Sequence, residues 1–144
     1  MRHSHRNQCG HAVIEAALLM PWVFFLFAGA LDFGFYGYAL INTQNAARVA
    51  AMQTSATWTT AGNSTLACTY VLNEMQSVSN LQSVTSCDAL PIKVTATAVS
   101  GASSADGAKA TQVSVTYQSP QLIPFPGVTG LMTVTRTAQV RVRG

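Results

Sequence analysis

The side chains that could support acid–base, nucleophilic or metal chemistry are few and widely separated along the sequence. The three histidines, His3, His5 and His11, all precede or begin a long apolar segment. The acids are spread over the whole chain: Glu15, Asp32, Glu74, Asp88 and Asp106. Acid–base catalysis and metal binding both need several such groups within reach of one another. We therefore expect no catalytic site, no metal site and no cofactor, and we predict that the protein is not an enzyme.

The apolar segment has the length and composition of a membrane span. Residues 16–31 contain no charge, and only Glu15 and Asp32 interrupt the apolar sequence between Ala12 and Ile41. The uncharged run alone makes about 24 Å of helix, and its apolar neighbours extend it past the ~30 Å hydrocarbon core. The alternative is a buried helix of a soluble protein, but a chain of 144 residues has little core in which to enclose it. We predict a transmembrane helix over residues 11–41.

The charges around this segment predict its orientation. Arg2 and Arg6 lie just before it, with no acid beside them. By the positive-inside rule this end stays in the cytoplasm, and the long C-terminal part is exported. The remaining basic residues are scattered rather than grouped with aromatic residues, so nucleic acid is not expected as a partner.

A second interpretation of the segment is a cleavable secretory signal. The residues Ala28 to Ala30 read A-G-A, which resembles a signal-peptidase site, and cleavage there would release a soluble chain that begins at Leu31. The chain nevertheless stays apolar as far as Ile41, which is an unsuitable start for a soluble domain.

The spacing of Gly10 and Glu15 points to a different processing route. Four residues separate them, and Glu15 stands at the head of the apolar segment. This arrangement resembles the class III leader of type IV pilin-like proteins. Together with "LDFG" (31–34) and "NAAR" (45–48), it is similar to the TadE-like family, small pilin-like proteins of tight-adherence (Flp, type IVc) pilus systems. The strand-rich "VSVTY" and "LMTVTRTAQVRV" also resemble the exported part of that family.

The resemblance implies a role for each of these residues. Residues 1–10 would be a leader that a prepilin peptidase removes after Gly10, so that His11 becomes the new N-terminus. Glu15 would pair with the N-terminal amine of a neighbouring subunit. Because two buried opposite charges offset each other only in good geometry, such a pair would favour one register of subunit packing. In the alternative, Glu15 lies at the headgroup level near a helix end.

Other positions in the segment are expected to serve helix packing. Pro21 should remove a backbone hydrogen bond and bend the helix axis. Ala30 and Gly34 form a small-xxx-small pair that could receive a neighbouring helix. About 25 Å of helix separates Asp32 from Glu15, so that both can lie near opposite membrane faces.

The rest of the chain predicts an α+β fold. The helix should continue from about His11 to about Thr57, with residues 42–57 as an extension beyond the membrane. After a break at "TTAGNST" (59–65), Asn63 or Ser64 can cap a second helix whose apolar face is Ala67, Val71, Met75 and Val78. From Pro91 the apolar period changes to two: first Ile92, Val94, Ala96 and Ala98, then Val113, Val115 and Tyr117 alternate with polar residues. This predicts three strands separated by a turn at 101–110 and a Pro/Gly-rich loop at 119–130. A small antiparallel sheet covered by the second helix would then form an extracytoplasmic domain over residues 58–144.

Two of the three cysteines lie in this exported part. Cys68 and Cys87 would be in an oxidising compartment, and we expect them to pair; two free thiols are the alternative. Cys9 lies on the cytoplasmic side of the span.

These observations together predict a TadE-like minor pilin or pseudopilin. It would be a single-pass protein of the bacterial inner membrane, with the pilus itself as a second location, and would help to assemble a tight-adherence pilus for adhesion or secretion. Its partners would be the inner membrane, a prepilin peptidase, and other pilin-like subunits with the assembly machinery. The alternative is a secreted or membrane-anchored envelope binding domain unrelated to pili.

Overall fold

The computed structural model describes residues 8–78, 80–104, 106–120 and 131–143, with side chains from His11 onward. It divides into two compact units with the boundary between Phe35 and Tyr36. The basic leader residues Arg2 and Arg6, and most of the predicted Pro/Gly-rich loop, lie outside the described residues. The predicted domain boundaries at residues 10, 41 and 57 remain predictions.

Helix α1 runs over Gln8–Thr54. It begins three residues before the predicted start at His11. Gln8 and Cys9 are compatible with a helix, and Gly10 lowers helix stability by only about 1 kcal/mol relative to alanine. It ends three residues before the predicted end at Thr57. The hydroxyl of Thr60 donates to the Thr54 carbonyl at 2.9 Å, which caps the helix end. The first unit contains only residues of this helix among those described.

Helix α2 (Ser64–Glu74) begins where the sequence predicts. The side chain of Asn63 accepts a hydrogen bond from the Leu66 amide at 2.9 Å, as expected of an N-cap. The predicted apolar face is confirmed, since each of its four members is buried: Ala67, Val71, Met75 and Val78.

Four antiparallel strands follow in the order β1-β2-β3-β4. They are β1 (Asp88–Ala89), β2 (Ile92–Gly101), β3 (Gly107–Gln118) and β4 (Thr133–Arg141). Strand β1 has only two residues and no alternating pattern, which is why the sequence did not predict it. The turn is also shorter than predicted, since β3 begins at Gly107. Gly101 and Gly107 both have positive φ, a conformation that glycine adopts without steric cost. The α+β fold class is confirmed.

The core of the second unit lies between the helices and one face of the sheet. Strand β2 buries Ile92, Val94 and Ala96, while the predicted fourth member, Ala98, is exposed. Strand β3 buries Val113, Val115 and Tyr117. The covering residues come from α2 and also from α1, whose fully buried alanines are Ala46, Ala47, Ala50 and Ala51. The predicted cover by α2 is thus joined by α1, whose alanines have the small side chains that close packing requires.

Candidate functional site

The N-terminal part of α1 is the strongest candidate for a functional element. Every side chain from residue 11 to residue 27 is exposed, although nearly all are apolar. Among the described residues, His11–Thr54 is the helix that is long and apolar enough to span a membrane. A helix that is apolar all round is stable only when lipid or other protein surrounds it. This part of α1 therefore requires an apolar environment outside its own chain.

Gly10 and Glu15 are both inside α1, so about 7.5 Å of helix axis separates them. His11 and Glu15 are four residues apart and therefore lie on one helix face, where both are exposed. The ion pairs of the described residues do not include Glu15. The head of the helix thus presents an acid beside the position where cleavage after Gly10 would create an amine. The cleavage site and the role of Glu15 remain predictions.

The predicted packing positions lie along the same helix. Pro21 lies inside α1, and the helix is continuous on both sides of it. Ala30 and Gly34 are exposed on one face, and a Cβ built at Gly34 would meet no atom within 4 Å. Nothing within the described chain therefore requires glycine at position 34. Asp32, which lies between them in sequence, is half-buried.

A disulfide joins Cys68 on α2 to Cys87, just before β1, with 5.8 Å between their Cα atoms. Beside it lies an open groove of about 970 Å³ between α2 and the segment 81–88. Its lining is mixed, with polar side chains such as Thr65, Asn73 and Gln76 beside the apolar Leu72, Leu81, Val84 and Val94. This composition suits a partner that offers both polar and apolar groups, and Asp88 is the one charged member of the lining.

Charged side chains also gather near the β2–β3 turn. Arg141 forms an ion pair with Asp106, and both side chains are substantially exposed. The hydrogen bond from the Arg141 guanidinium, followed by one from the Ala108 amide, holds the pKa of Asp106 below its usual value. The ammonium of Lys109 lies 5.3 Å from the ring centroid of Trp58, a cation–π contact. Within the described ranges, no three His, Cys, Asp or Glu residues are grouped as metal ligands would be.

Two side-chain hydroxyls of the core make hydrogen bonds that the sequence did not predict. Thr111 donates to the Ala61 carbonyl at 2.5 Å and lies 3.2 Å from the hydroxyl of Thr54. The hydroxyl of Tyr117 donates to Asn80 at 2.6 Å, and Asn80 in turn donates to the Gln118 carbonyl. The predicted alternation of Val113, Val115 and Tyr117 placed Tyr117 on the core face, where it is buried. The same period of two, extended back by one step, reaches Thr111, which the prediction did not include.

A comparison with family models supports the resemblance seen in the sequence. The model described as TadE-like protein matches residues 10–52, less than a third of the 144-residue chain. The match begins at Gly10, includes Glu15 and Asp32, and ends near the end of α1. The searches of curated proteins and of solved structures gave no match. The predicted TadE-like resemblance is thus confirmed over α1, and the chain is similar there to pilin-like proteins associated with tight-adherence pili.

Proposed function

We propose that this chain is a membrane-anchored minor pilin or pseudopilin that takes part in assembling a tight-adherence pilus. The observation that carries the proposal is the TadE-like helix with Gly10 and Glu15 at its head. Its apolar side chains are exposed over residues 11–27, as an anchor in lipid or a helix packed among other subunits requires. The likeness to structural pilus proteins also supports a non-enzymatic role.

In this proposal the helix has two successive functions. It first holds the protein in the inner membrane as a single span, with the basic N-terminus in the cytoplasm and the sheet outside. A prepilin peptidase then cuts after Gly10, and the new amine at His11 becomes available to the Glu15 of a neighbouring subunit. A carboxylate in an apolar environment is stabilised by such a pair, and removal of one partner leaves an uncompensated charge. Glu15 would therefore select one register among the packed helices.

The experiment is to identify the N-terminal peptide of the mature protein by mass spectrometry, on membrane and soluble fractions separately. We expect a membrane-bound chain that begins at His11 and that is absent from a strain without prepilin peptidase. Glu15→Ala should prevent assembly with other pilin-like subunits, measured by cross-linking in the membrane. Glu74→Ala is the matched control, because Glu74 is an exposed glutamate at the end of α2.

The groove beside the disulfide supports a second candidate, an envelope binding domain unrelated to pili. The same peptide measurement separates the two functions. A soluble chain beginning at Leu31 would contradict the pilin-like proposal and favour the secreted binding domain. An uncut chain in the membrane would favour a simple anchor and reduce Glu15 to a charge at the membrane edge.

A further inference from the structure

One end of the second unit exposes large apolar side chains. They belong to the turn before β2 and to the residues before β4, with 50% of Leu90, 58% of Leu131 and 40% of Met132 exposed. We call these three residues the entry-end cluster, since they lie at the end where α1 enters the unit. Leu131 and Met132 are adjacent in sequence, and Leu90 comes from a different part of the chain.

Hydrogen bonds connect this end of the sheet to the first residues of α1 in the unit. Tyr38 donates to the hydroxyl of Ser77 at 2.9 Å. Three residues further on, Asn80 accepts from the Tyr117 hydroxyl and donates to the Gln118 carbonyl. At the other end of the unit Thr54 of α1 contacts Thr111 of β3, and from that contact α1 back to Tyr38 and β3 on to Gln118 each extend by about 23–24 Å. The end of β3 and the start of α1 in this unit therefore lie at the same end of the unit.

The cluster is attached to the same end of β3. The amide of Gln118 donates to the carbonyl of Pro91 at 2.8 Å, next to Leu90. The amide of Ser119 donates to the carbonyl of Met132 at 2.9 Å, next to Leu131. All three members of the entry-end cluster thus lie close to the level of Tyr38.

The opposite end of the unit is formed mainly by polar and small side chains. There the last turn of α1 meets the sheet through Thr54 and Thr111, and the turn between β2 and β3 exposes Ala102 and Ser103. Trp58, an exposed aromatic residue of that end, lies against the Lys109 ammonium. Met52, in the last turn of α1 at this opposite end, is also 53% exposed. The entry end differs in that two separate turns of the chain expose three aliphatic side chains there.

We infer that the entry-end cluster lies in the outer interfacial layer of the membrane, where it contacts lipid headgroups and the upper acyl chains. This inference rests on the proposed membrane span, whose predicted end at Ile41 is within one helical turn of Tyr38. Side chains at the level of Tyr38 are then at the level of the bilayer surface. Exposed leucine and methionine are stabilised there, and tyrosine is frequent at that depth.

The lipid contact gives the domain a defined position. The end of the sheet that carries the entry-end cluster contacts the bilayer surface. Transfer into a fibre would remove the cluster from lipid, so the membrane would retain the subunit until a neighbouring subunit covers the same side chains.

A nitroxide depth measurement on the full chain tests this inference. Cys9→Ser leaves the Cys68–Cys87 disulfide intact, and Leu131→Cys then provides a single free thiol for the label. The protein is reconstituted in phosphatidylethanolamine–phosphatidylglycerol vesicles, and collision of the label with oxygen and with a water-soluble nickel chelate is measured. Labels at Ala102→Cys and Phe24→Cys serve as the aqueous and the in-membrane references, and Leu90→Cys is an independent second site.

We expect the ratio of oxygen to nickel accessibility at positions 131 and 90 to exceed that at 102 by about threefold or more, as for a group at the headgroup boundary. A label in lipid at 24 with aqueous labels at 131 and 90 would overturn the inference and leave the span intact. Labels at 131 and 90 shielded from both reagents would overturn it in favour of contact with a second copy. An aqueous label at 24 would contradict the span itself, and the inference would fail with it.

Discussion

Arg136 and Val115 are direct partners across the β3–β4 ladder, yet Val115 is fully buried and Arg136 is exposed. Directly paired residues lie on the same face of a sheet, so Arg136 is on the core side. The β3–β4 register runs from residue 110 to residue 118 without a shift, which excludes a bulge as the explanation. Among the described residues β4 pairs with β3 alone, and as an edge strand it is only partly covered: Ala138 and Val140 are half-buried. The long side chain of Arg136 can reach solvent from this edge.

We predict that Arg136→Val promotes self-association of the protein. A charge on an edge strand opposes pairing with a second edge. Its replacement by valine makes the core-side row of β4 (Val134, Ala138 and Val140) continuously apolar, on an edge that pairs with no other described strand. Analytical ultracentrifugation of the full chain in detergent should show a larger dimer fraction than for the wild type.

Lys93→Val is the matched control for this variant. It also replaces an exposed strand cation by valine, but Lys93 is paired on both sides, with Asp88 and Thr116. If both variants associate equally, the cause is the added apolar surface and not the loss of a charge from the edge strand.

The hydroxyl of Thr111 is predicted to stabilise the second unit. It is fully buried and links the sheet to the segment after α1 through the Ala61 carbonyl. Thr111→Val keeps the shape and removes the donor, so the free energy of unfolding should fall by about 1–3 kcal/mol. Urea unfolding of the full chain in detergent measures this change. Thr95→Val, at an exposed position on β2, should change it by less than about 0.5 kcal/mol.

The stability of the second unit should decrease at alkaline pH through Tyr117. Burial raises the pKa of Tyr117 above the ordinary value of 10.0, while its hydrogen bond to Asn80 acts in the opposite direction. A group whose pKa is raised by folding contributes stability that is present below its unfolded pKa and lost as pH rises through the folded one. We therefore expect the free energy of unfolding to decline above about pH 10.

Tyr117→Phe tests this prediction. The variant should be less stable by about 1 kcal/mol at neutral pH, because Asn80 loses its donor. Above pH 10 its free energy of unfolding should fall less steeply than that of the wild type. Tyr70→Phe, which removes a half-buried phenol on α2, is the control. Equal slopes in the wild type and Tyr117→Phe would contradict the proposed cause.

Loss of the Cys68–Cys87 disulfide should weaken the attachment of α2 to the residues before β1. The two cysteines are 19 residues apart, and closing a loop of this size is worth about 3 kcal/mol in the chain-entropy model. Cys68→Ser with Cys87→Ser should therefore lower the free energy of unfolding by roughly this amount. Cys9→Ser should leave the free energy of unfolding unchanged. A reducing agent should lower the stability of the wild type to that of the double variant, and it should not change the stability of the double variant. No difference between the oxidised and reduced wild type would contradict this prediction.

The sequence by itself determined the features that depend on local pattern. The uncharged run over residues 16–31 predicted the apolar part of α1. The spacing between Gly10 and Glu15, with the LDFG and NAAR motifs, indicated the TadE-like resemblance that the family model confirms over residues 10–52. The period of Ala67, Val71 and Met75 predicted the buried face of α2, and the alternation of Val113 and Val115 predicted a half-buried strand. Each of these follows from helix or strand geometry over a few neighbouring residues.

Only the tertiary structure decided the relations between distant residues. The two-residue strand β1 exists because β2 provides its pairing partner, and the short segment carries no periodic signal of its own. The exposure of Arg136 depends on the position of β4 at the edge of the sheet, which the pattern of β4 does not contain. The hydrogen bonds of Tyr38 to Ser77, of Asn80 to Gln118 and of Gln118 to Pro91 likewise join parts of the chain that are far apart in sequence. Such relations depend on long-range contacts, whereas amino-acid periodicity reports only which face of its own element a residue occupies.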